Sequence, residues 1–192
     1  MTASGKRERE TAGGPEPLAP TVRLIALVGF MAAGKTTVGR RLAQTLDWRF
    51  IDVDREIEER TGRSIAQWFR DSGEPAFRAL EAELTATLLS GERAVVALGG
   101  GWAAQPGAFA AVPSGVRTIW LRVSAAEAVR RAAADPVVRP LLAGEAPDAT
   151  ARALLQQREA AYRKAEVRVD VGGRSPDDIV HEILEVLGID RT

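Results

Sequence analysis

Cysteine is absent from the 192 residues. That excludes disulfides, thiolate catalysis and cysteine-ligated zinc or iron–sulfur sites, and it suits a reducing compartment. Histidine occurs once, at His181, in a stretch that reads as a C-terminal helix. A histidine-based triad or a multi-histidine metal site is therefore not expected. Net charge is missing too: 26 basic side chains balance 26 acidic ones, which removes any general pull towards nucleic acid or an anionic membrane. No apolar run approaches the roughly 20 residues of a membrane span. The first residues lack the apolar core of a secretory leader. Residues 1–20 have almost no apolar side chains and carry Lys6-Arg7-Glu8-Arg9-Glu10 and Gly13-Gly14-Pro15. They cannot bury a core and are expected to be a disordered tail. A basic nucleic-acid arm is the alternative, but Glu8 and Glu10 cancel two of its charges. What remains, residues 21–190, is long enough for one well-packed α/β domain, expected to be cytoplasmic.

The stretch that stands out is Gly29-Phe30-Met31-Ala32-Ala33-Gly34-Lys35-Thr36-Thr37, which fits G-x-x-x-x-G-K-[ST]. Before it, Val22 to Val28 is apolar and β-branched, as a buried strand is. After it, Val38, Leu42, Ala43 and Leu46 are spaced as one helix face. A strand before and a helix after turn the pattern into a phosphate site. Backbone N–H groups of the loop and the helix N-terminus converge on an anion. Lys35 adds charge for the outer phosphates, and the Thr36 hydroxyl can ligate Mg²⁺. The bland alternative is a loop with a chance match.

Further along, Trp48 to Asp54 reads as a second strand ending in two carboxylates. A polar helix from Arg55 to Arg60 stops at Thr61-Gly62, and Ser64 is a plausible cap for the next. After Gly73-Glu74-Pro75 a longer helix carries Phe77, Leu80, Leu84 and Leu88 at helical spacing. Ala94 to Leu98, Val116 to Leu121 and Val167 to Val171 read as strands. Helices are expected after Ser124, over Asp148 to Lys164, and from Pro176 to about Leu187. Strands alternating with helices predict a parallel sheet covered on both faces, with right-handed crossovers. Residues 54–90 hold helices and no strand, and are expected to form a substrate-holding insertion. Residues 135–145 contain two prolines and a glycine, and residues 135–148 are expected to form a lid.

Ligands of open parallel sheets bind outside the carboxyl ends of the strands. The phosphate loop, the pair Asp52 and Asp54, and Gly99-Gly100-Gly101 should therefore share one crevice. Two apart on a regular strand, Asp52 and Asp54 share a face, and they suit Mg²⁺, a substrate hydroxyl, or one of each. The plainer alternative is a solvated strand end. P-loop proteins commonly place a magnesium-supporting Asp after the third strand. Here Leu98-Gly99 stands there, so Asp52 becomes the metal support and Asp54 is left for the acceptor. The three glycines permit close approach of backbone to ligand. Arg158 lies four residues from both Leu154 and Tyr162, on or beside an inward helix face, where a charge needs an anionic partner. Arg78 can be oriented by Glu81 at i+3, and Arg139 lies in the lid. The guanidinium fork suits carboxylate or phosphate, although any one of the three could serve only an internal salt bridge. Trp48, Trp68 and Trp120 are expected in the core.

Taken together, these motifs resemble the shikimate kinase family over roughly residues 22–188. The resemblance rests on Gly29 to Thr37, Asp52-Val53-Asp54, Gly73-Glu74 with Phe77-Arg78 and Glu81, Gly99-Gly100-Gly101, Val138-Arg139-Pro140-Leu141-Leu142, and Arg158 with Tyr162. It implies the P-loop NTPase fold, three layers with a five-stranded parallel sheet in order 2-3-1-4-5. The implied reaction moves the γ-phosphate of ATP to the 3-hydroxyl of shikimate, a step towards chorismate and the aromatic amino acids. By the same resemblance Asp54 binds ring hydroxyls and can accept the proton, Arg78 and Arg158 hold the carboxylate, and Gly100 and Gly101 adjoin the acceptor. Ala32, Ala33, Gly34, Lys35, Thr36 and Thr37 cradle the phosphates, with Thr36 and Asp52 on the side of one Mg²⁺. Arg139 closes over the phosphates, while Arg131 and Arg174-Ser175-Pro176 adjoin the adenine. Lys35, Asp54 and Arg139 are thus the implied catalytic set. A monomer acting on ATP and shikimate, with neither nucleic acid nor membrane as partner, is expected.

Two positions depart from the family pattern. Ala32 replaces a glycine; if that position needs φ > 0, alanine costs on the order of 1 kcal/mol. Trp102 follows the triple glycine where a small residue is usual, and could narrow the acceptor pocket or pack beneath the strand end. They leave open a related kinase with another hydroxylated acceptor. A non-catalytic nucleotide-binding module is the third reading, opposed by Lys35, Thr36, Asp52, Asp54 and both acceptor arginines.

Overall fold

The computed structural model describes residues 22–134 and 146–189. The proposed tail, Arg139 and most of the proposed lid lie outside the described residues. Five strands form one parallel sheet: β1 (Leu24–Val28), β2 (Arg49–Asp52), β3 (Ala94–Ala97), β4 (Val116–Arg122) and β5 (Val167–Asp170). Their spatial order is β2-β3-β1-β4-β5, as the resemblance implied. The helices are α1 (Lys35–Leu46), α2 (Val53–Thr61), α3 (Ile65–Leu89), α4 (Ala125–Ala134), α5 (Pro147–Tyr162) and α6 (Pro176–Val186).

The central strand explains the arrangement. Every residue of β1 is apolar and none is more than 1% exposed, because both its faces are covered. Full burial of a Leu or Ile stabilises by roughly 1.5–3 kcal/mol, so this short segment anchors the core. α1 packs beside α6, and α4 beside α5. From β1 the chain runs out to β2 at one edge, then returns through β3 and crosses to β4 and β5. That reversal beside β1 opens the crevice at the carboxyl ends of β1 and β3.

One boundary differs from expectation, and a second agrees with it. β2 ends at Asp52, and α2 begins at once at Val53. Asp52 takes the extended N-cap conformation, φ −106 and ψ 117, and Asp54 falls in the first helical turn. The two carboxylates therefore do not share a strand face. The positive end of the helix favours acidic residues in that turn, and this outweighs continuation of the strand. The second boundary lies in α3, which the sequence divides into two helices. Gly73 breaks its helical path at φ 79, ψ 165. Pro75 follows at the start of the second half, where its missing N–H costs little. Ser64 caps the first half, with Gln67 completing a capping box.

Arg23 contributes a contact with no sequence signature. Its guanidinium donates to the Leu89 and Ser90 carbonyls at 3.0 and 3.1 Å, to the Gly91 carbonyl, and to that of Ser114 at 3.0 Å. The carbonyls at the end of α3 lack intrahelical donors and carry the negative end of its dipole, which a cation satisfies. Among the described residues, no helix is long and apolar enough to cross a membrane.

Candidate active site

The loop from Gly29 to Gly34 leaves β1 and enters α1 at Lys35. The first amide of α1 with an acceptor in its own turn is that of Val38, bonded to the Gly34 carbonyl at 2.9 Å. The N–H groups of Lys35, Thr36 and Thr37 precede it and form an anion-attracting helix end. The Ala33 amide instead donates to the Phe30 carbonyl at 3.2 Å and closes the turn. The Lys35 ammonium spans the loop, donating to the Gly29 and Phe30 carbonyls at 2.9 and 3.1 Å. Ala32 has φ 57. The glycine-favouring conformation suspected from sequence is therefore present, at a cost of about 1–2 kcal/mol for an L-residue.

Thr36 Oγ1 donates to Asp52 Oδ2 at 2.8 Å, so the two residues read as the metal side do meet. Beyond them lies a cavity of about 430 Å³ lined by Thr36, Thr37, Arg40, Arg41, Gln44, Pro176 and Asp177. Arg40 and Arg41 were not singled out from sequence; their helical position on α1 is the signal that could have found them. Arg131 donates to Glu127 Oε1 at 2.7 Å and to the Val171 carbonyl at 2.8 Å. A Cβ on Gly34 would lie 3.7 Å from its Nη1, so Arg131 adjoins the loop. Arg174 pairs with Glu182 and donates to the carbonyls of Asp170 and Asp178 at 3.1 and 3.2 Å. It braces the start of α6 and thereby sets Pro176.

The second half of the site is built on the triple glycine. A Cβ on Gly99 would meet Glu81 Oε1 at 2.1 Å and Asp54 Oδ1 at 3.0 Å. One on Gly101 would meet Arg78 Nη2 at 2.5 Å. These two glycines thus make room for the protein's own side chains. Gly100 sits over the phosphate loop, its missing Cβ 3.6 Å from the Met31 nitrogen. Its carbonyl accepts from Arg158 Nη1 at 3.1 Å and from the Tyr162 hydroxyl at 2.6 Å. In a trans peptide the following N–H points the opposite way, so this clamp also fixes the Gly101 amide.

Arg78 is held as its i+3 spacing suggested, donating from Nη1 to Glu81 Oε2 at 2.7 Å. Glu74, one turn earlier, accepts from its Nη2 at 3.0 Å. The guanidinium also lies 5.6 and 5.2 Å from the rings of Phe69 and Phe77. A cavity of about 420 Å³ opens here, lined by Glu74, Pro75, Arg78, Gly101, Ala104, Gln105, Pro106 and Arg158. The structure therefore brings Arg78 and Arg158 together, from helices far apart in sequence. Sequence reading missed Gln105, whose Nε2 donates to Glu81 Oε2 at 2.6 Å. Gln-Pro-Gly reads only as a turn, so no sequence pattern pointed to it.

Electrostatics follow from this crowding. Asp54 opens onto the crevice, yet the surrounding protein displaces enough water to push its carboxyl pKa up; Lys35 opposes this and Asp52 adds to it. Burial likewise raises Glu81, with Arg78 pulling the other way. Burial pushes the Tyr162 hydroxyl up to about 12 despite nearby Arg158, so it remains a donor at any ordinary pH. Trp102 is 4% exposed and stacks edge-on against Phe109, centroids 5.4 Å apart. It packs beneath the strand end and lines neither cavity. Trp120 is core as expected, whereas Trp48 and Trp68 are half-buried at its margin.

A family model described as shikimate kinase matches residues 31–188. The shikimate kinase of Mycobacterium tuberculosis (strain ATCC 25177 / H37Ra) is 43% identical over 164 residues, covering 85% of this chain and 92% of that relative. The structure of shikimate kinase from Acinetobacter baumannii in complex with shikimate matches at TM-score 0.81 and 35% identity, covering 88% of this chain and 94% of that one. A gluconokinase from Sinorhizobium meliloti 1021 shares the fold alone, with TM-score 0.57 and 18% identity over 88% of this chain and 94% of that one.

Proposed function

The chain belongs to the shikimate kinase family, and from that premise we propose that it transfers the γ-phosphoryl group of ATP to the 3-hydroxyl of shikimate. The products are 3-phosphoshikimate and ADP, on the route to chorismate and the aromatic amino acids. The observation that carries this reading is the meeting of Arg78 and Arg158 at one cavity beside Gly101, across Gly100 from the phosphate loop. Two guanidinium forks suit one carboxylate, and Asp54 offers an oxygen to the ring hydroxyls.

In the transfer, the acceptor oxygen forms a bond to the γ-phosphorus as the bond to the β,γ-bridging oxygen breaks. The hydroxyl proton passes to Asp54. Phosphoryl transfer needs positioning and charge neutralisation more than covalent help. Arg78, Arg158 and the Gly100 and Gly101 backbone fix the acceptor. Lys35, the amides of Gly34 to Thr37, and strained Ala32 with Ala33 behind it surround the phosphates, and the family resemblance assigns Arg139 to the same task. Arg131 and Arg174 border the nucleotide base.

The donor set fits Mg²⁺. Thr36 Oγ1 and Asp52 Oδ2, which meet beside the helix end, would hold it as hard oxygen donors. Among the described residues, no group of three or more His, Cys, Asp or Glu forms a metal cage, which suits an ion that keeps phosphate and water ligands. Bound with ATP, it supplies neutralisation of the β- and γ-phosphate charge.

A monomer in the cytoplasm completes the proposal. Among the described residues the large apolar side chains left exposed are Phe69 and Val186, too scattered for an obligate interface. The alternative of a different acceptor loses its main support with the burial of Trp102. An acceptor panel of shikimate, other hydroxy acids and polyols tests the reading. Shikimate is expected to give the highest kcat/KM; a polyol surpassing it would overturn the assignment.

A further inference from the structure

Glu81 is fully buried, and one of its oxygens, Oε1, has no hydrogen-bond partner. That oxygen lies in the notch over Gly99, on the same spot that Asp54 Oδ1 approaches. All of the carboxylate's hydrogen bonds therefore fall on Oε2, which takes two donors: Arg78 Nη1 at 2.7 Å and Gln105 Nε2 at 2.6 Å. A buried carboxylate is costly unless paired and hydrogen-bonded, and here only these two donors fix its rotation. Arg78 has a second carboxylate in Glu74, but that one is exposed to solvent. Its buried anchor is Glu81 alone.

We propose that Gln105 is a positioning residue for acceptor binding, holding Glu81 so that Glu81 presents Arg78 to the acceptor cavity. The proposal rests on the reading of the Arg78–Arg158 cavity as the acceptor site. The residue type matters. A glutamate at 105 would repel Glu81, and a lysine would compete with Arg78 for it. Glutamine donates a hydrogen bond without charge, so Arg78 remains the counter-ion. The bond also ties the segment after the triple glycine to α3. The sheet side and the helical side of the cavity are thereby held in register at the point where the acceptor carboxylate binds.

The test uses steady-state kinetics of the full chain. Gln105→Leu keeps the volume and removes the donor, and Gln105→Glu keeps the shape and adds charge. Each is expected to raise the KM for shikimate about tenfold, the loss of one hydrogen bond to a charged group, and more for Gln105→Glu. The KM for ATP is expected to stay within about twofold, because both hydrogen bonds to Glu81 come from the acceptor side, from Arg78 and Gln105. Placed in a Glu81→Met background, which offers Gln105 no acceptor oxygen, Gln105→Leu is expected to have no further effect on the shikimate KM. An unchanged shikimate KM, equal rises for both substrates, or an undiminished effect in the Glu81→Met background would each overturn the proposal. A parent protein with no shikimate-dependent ADP release would remove the site reading, and this proposal with it.

Discussion

At the scale of single residues, Ala32 and Glu81 show what residue type alone can and cannot reveal. Ala32 was legible: a motif position that usually holds glycine suggested φ > 0, and φ is 57. Left-handed backbone costs an L-residue about 1–2 kcal/mol, while glycine adds back about 0.4–1 kcal/mol of unfolded-state entropy. Ala32→Gly is therefore predicted to stabilise by roughly 0.5–1 kcal/mol, read as a small rise in Tm by calorimetry; a fall in Tm would show that the loop is unstrained. Glu81 was legible as a partner for Arg78, from i+3 spacing. Its burial and its notch at Gly99 were not, because nothing local in a sequence says which glycine a distant carboxylate will press against. Burial raises the Glu81 pKa in the folded state. A raised carboxyl binds its proton more tightly when folded, so its stability cost is absent below the unfolded pKa and complete above the folded one. Glu81→Gln removes that titration. Its Tm relative to the parent is predicted to rise from pH 4 towards neutrality. A relative Tm that falls over that range would mean that the Arg78 pair depresses the pKa instead.

At the scale of elements, the strands and helices were largely readable because apolar periodicity is a local signal. β1 shows this best, a continuous apolar run that could only be a strand covered on both faces. The errors fell at boundaries. The run Trp48 to Asp54 reads as strand throughout, but the helix begins one residue after Asp52. That single shift separates the two carboxylates. Asp52 stays beside Thr36, and Asp54 turns into the crevice towards Gly99. The break in α3 was legible at Gly73, and it lets Phe69 and Phe77 stack 4.8 Å apart beside Arg78. The Arg23 clasp was not legible, since its acceptors are backbone carbonyls remote in sequence. Arg23→Met is predicted to destabilise by about 1–3 kcal/mol in a urea titration, with both KM values unchanged. Loss of acceptor affinity in that variant would show that the clasp is coupled to the site.

At the scale of the whole molecule, sheet order turns separate motifs into one site. Because the chain reverses beside β1, the loops after β1, β2 and β3 open on the same side. Gly100 then divides phosphate-binding backbone from the arginine-lined cavity. Arg158 and Tyr162 reach that point from α5, more than fifty residues away in the chain, and both end on the Gly100 carbonyl. The helical position of Arg158 gave its inward direction; only the fold gives its target. The central claim is that these two halves act on one pair of substrates. Initial rates of ADP release from Mg-ATP, with and without shikimate, test it most directly. The account predicts release that depends on shikimate, disappears in Lys35→Met, and in Arg158→Ala recovers only at much higher shikimate with the ATP requirement little changed. ADP release indifferent to shikimate, or lost equally towards both substrates in Arg158→Ala, would contradict it.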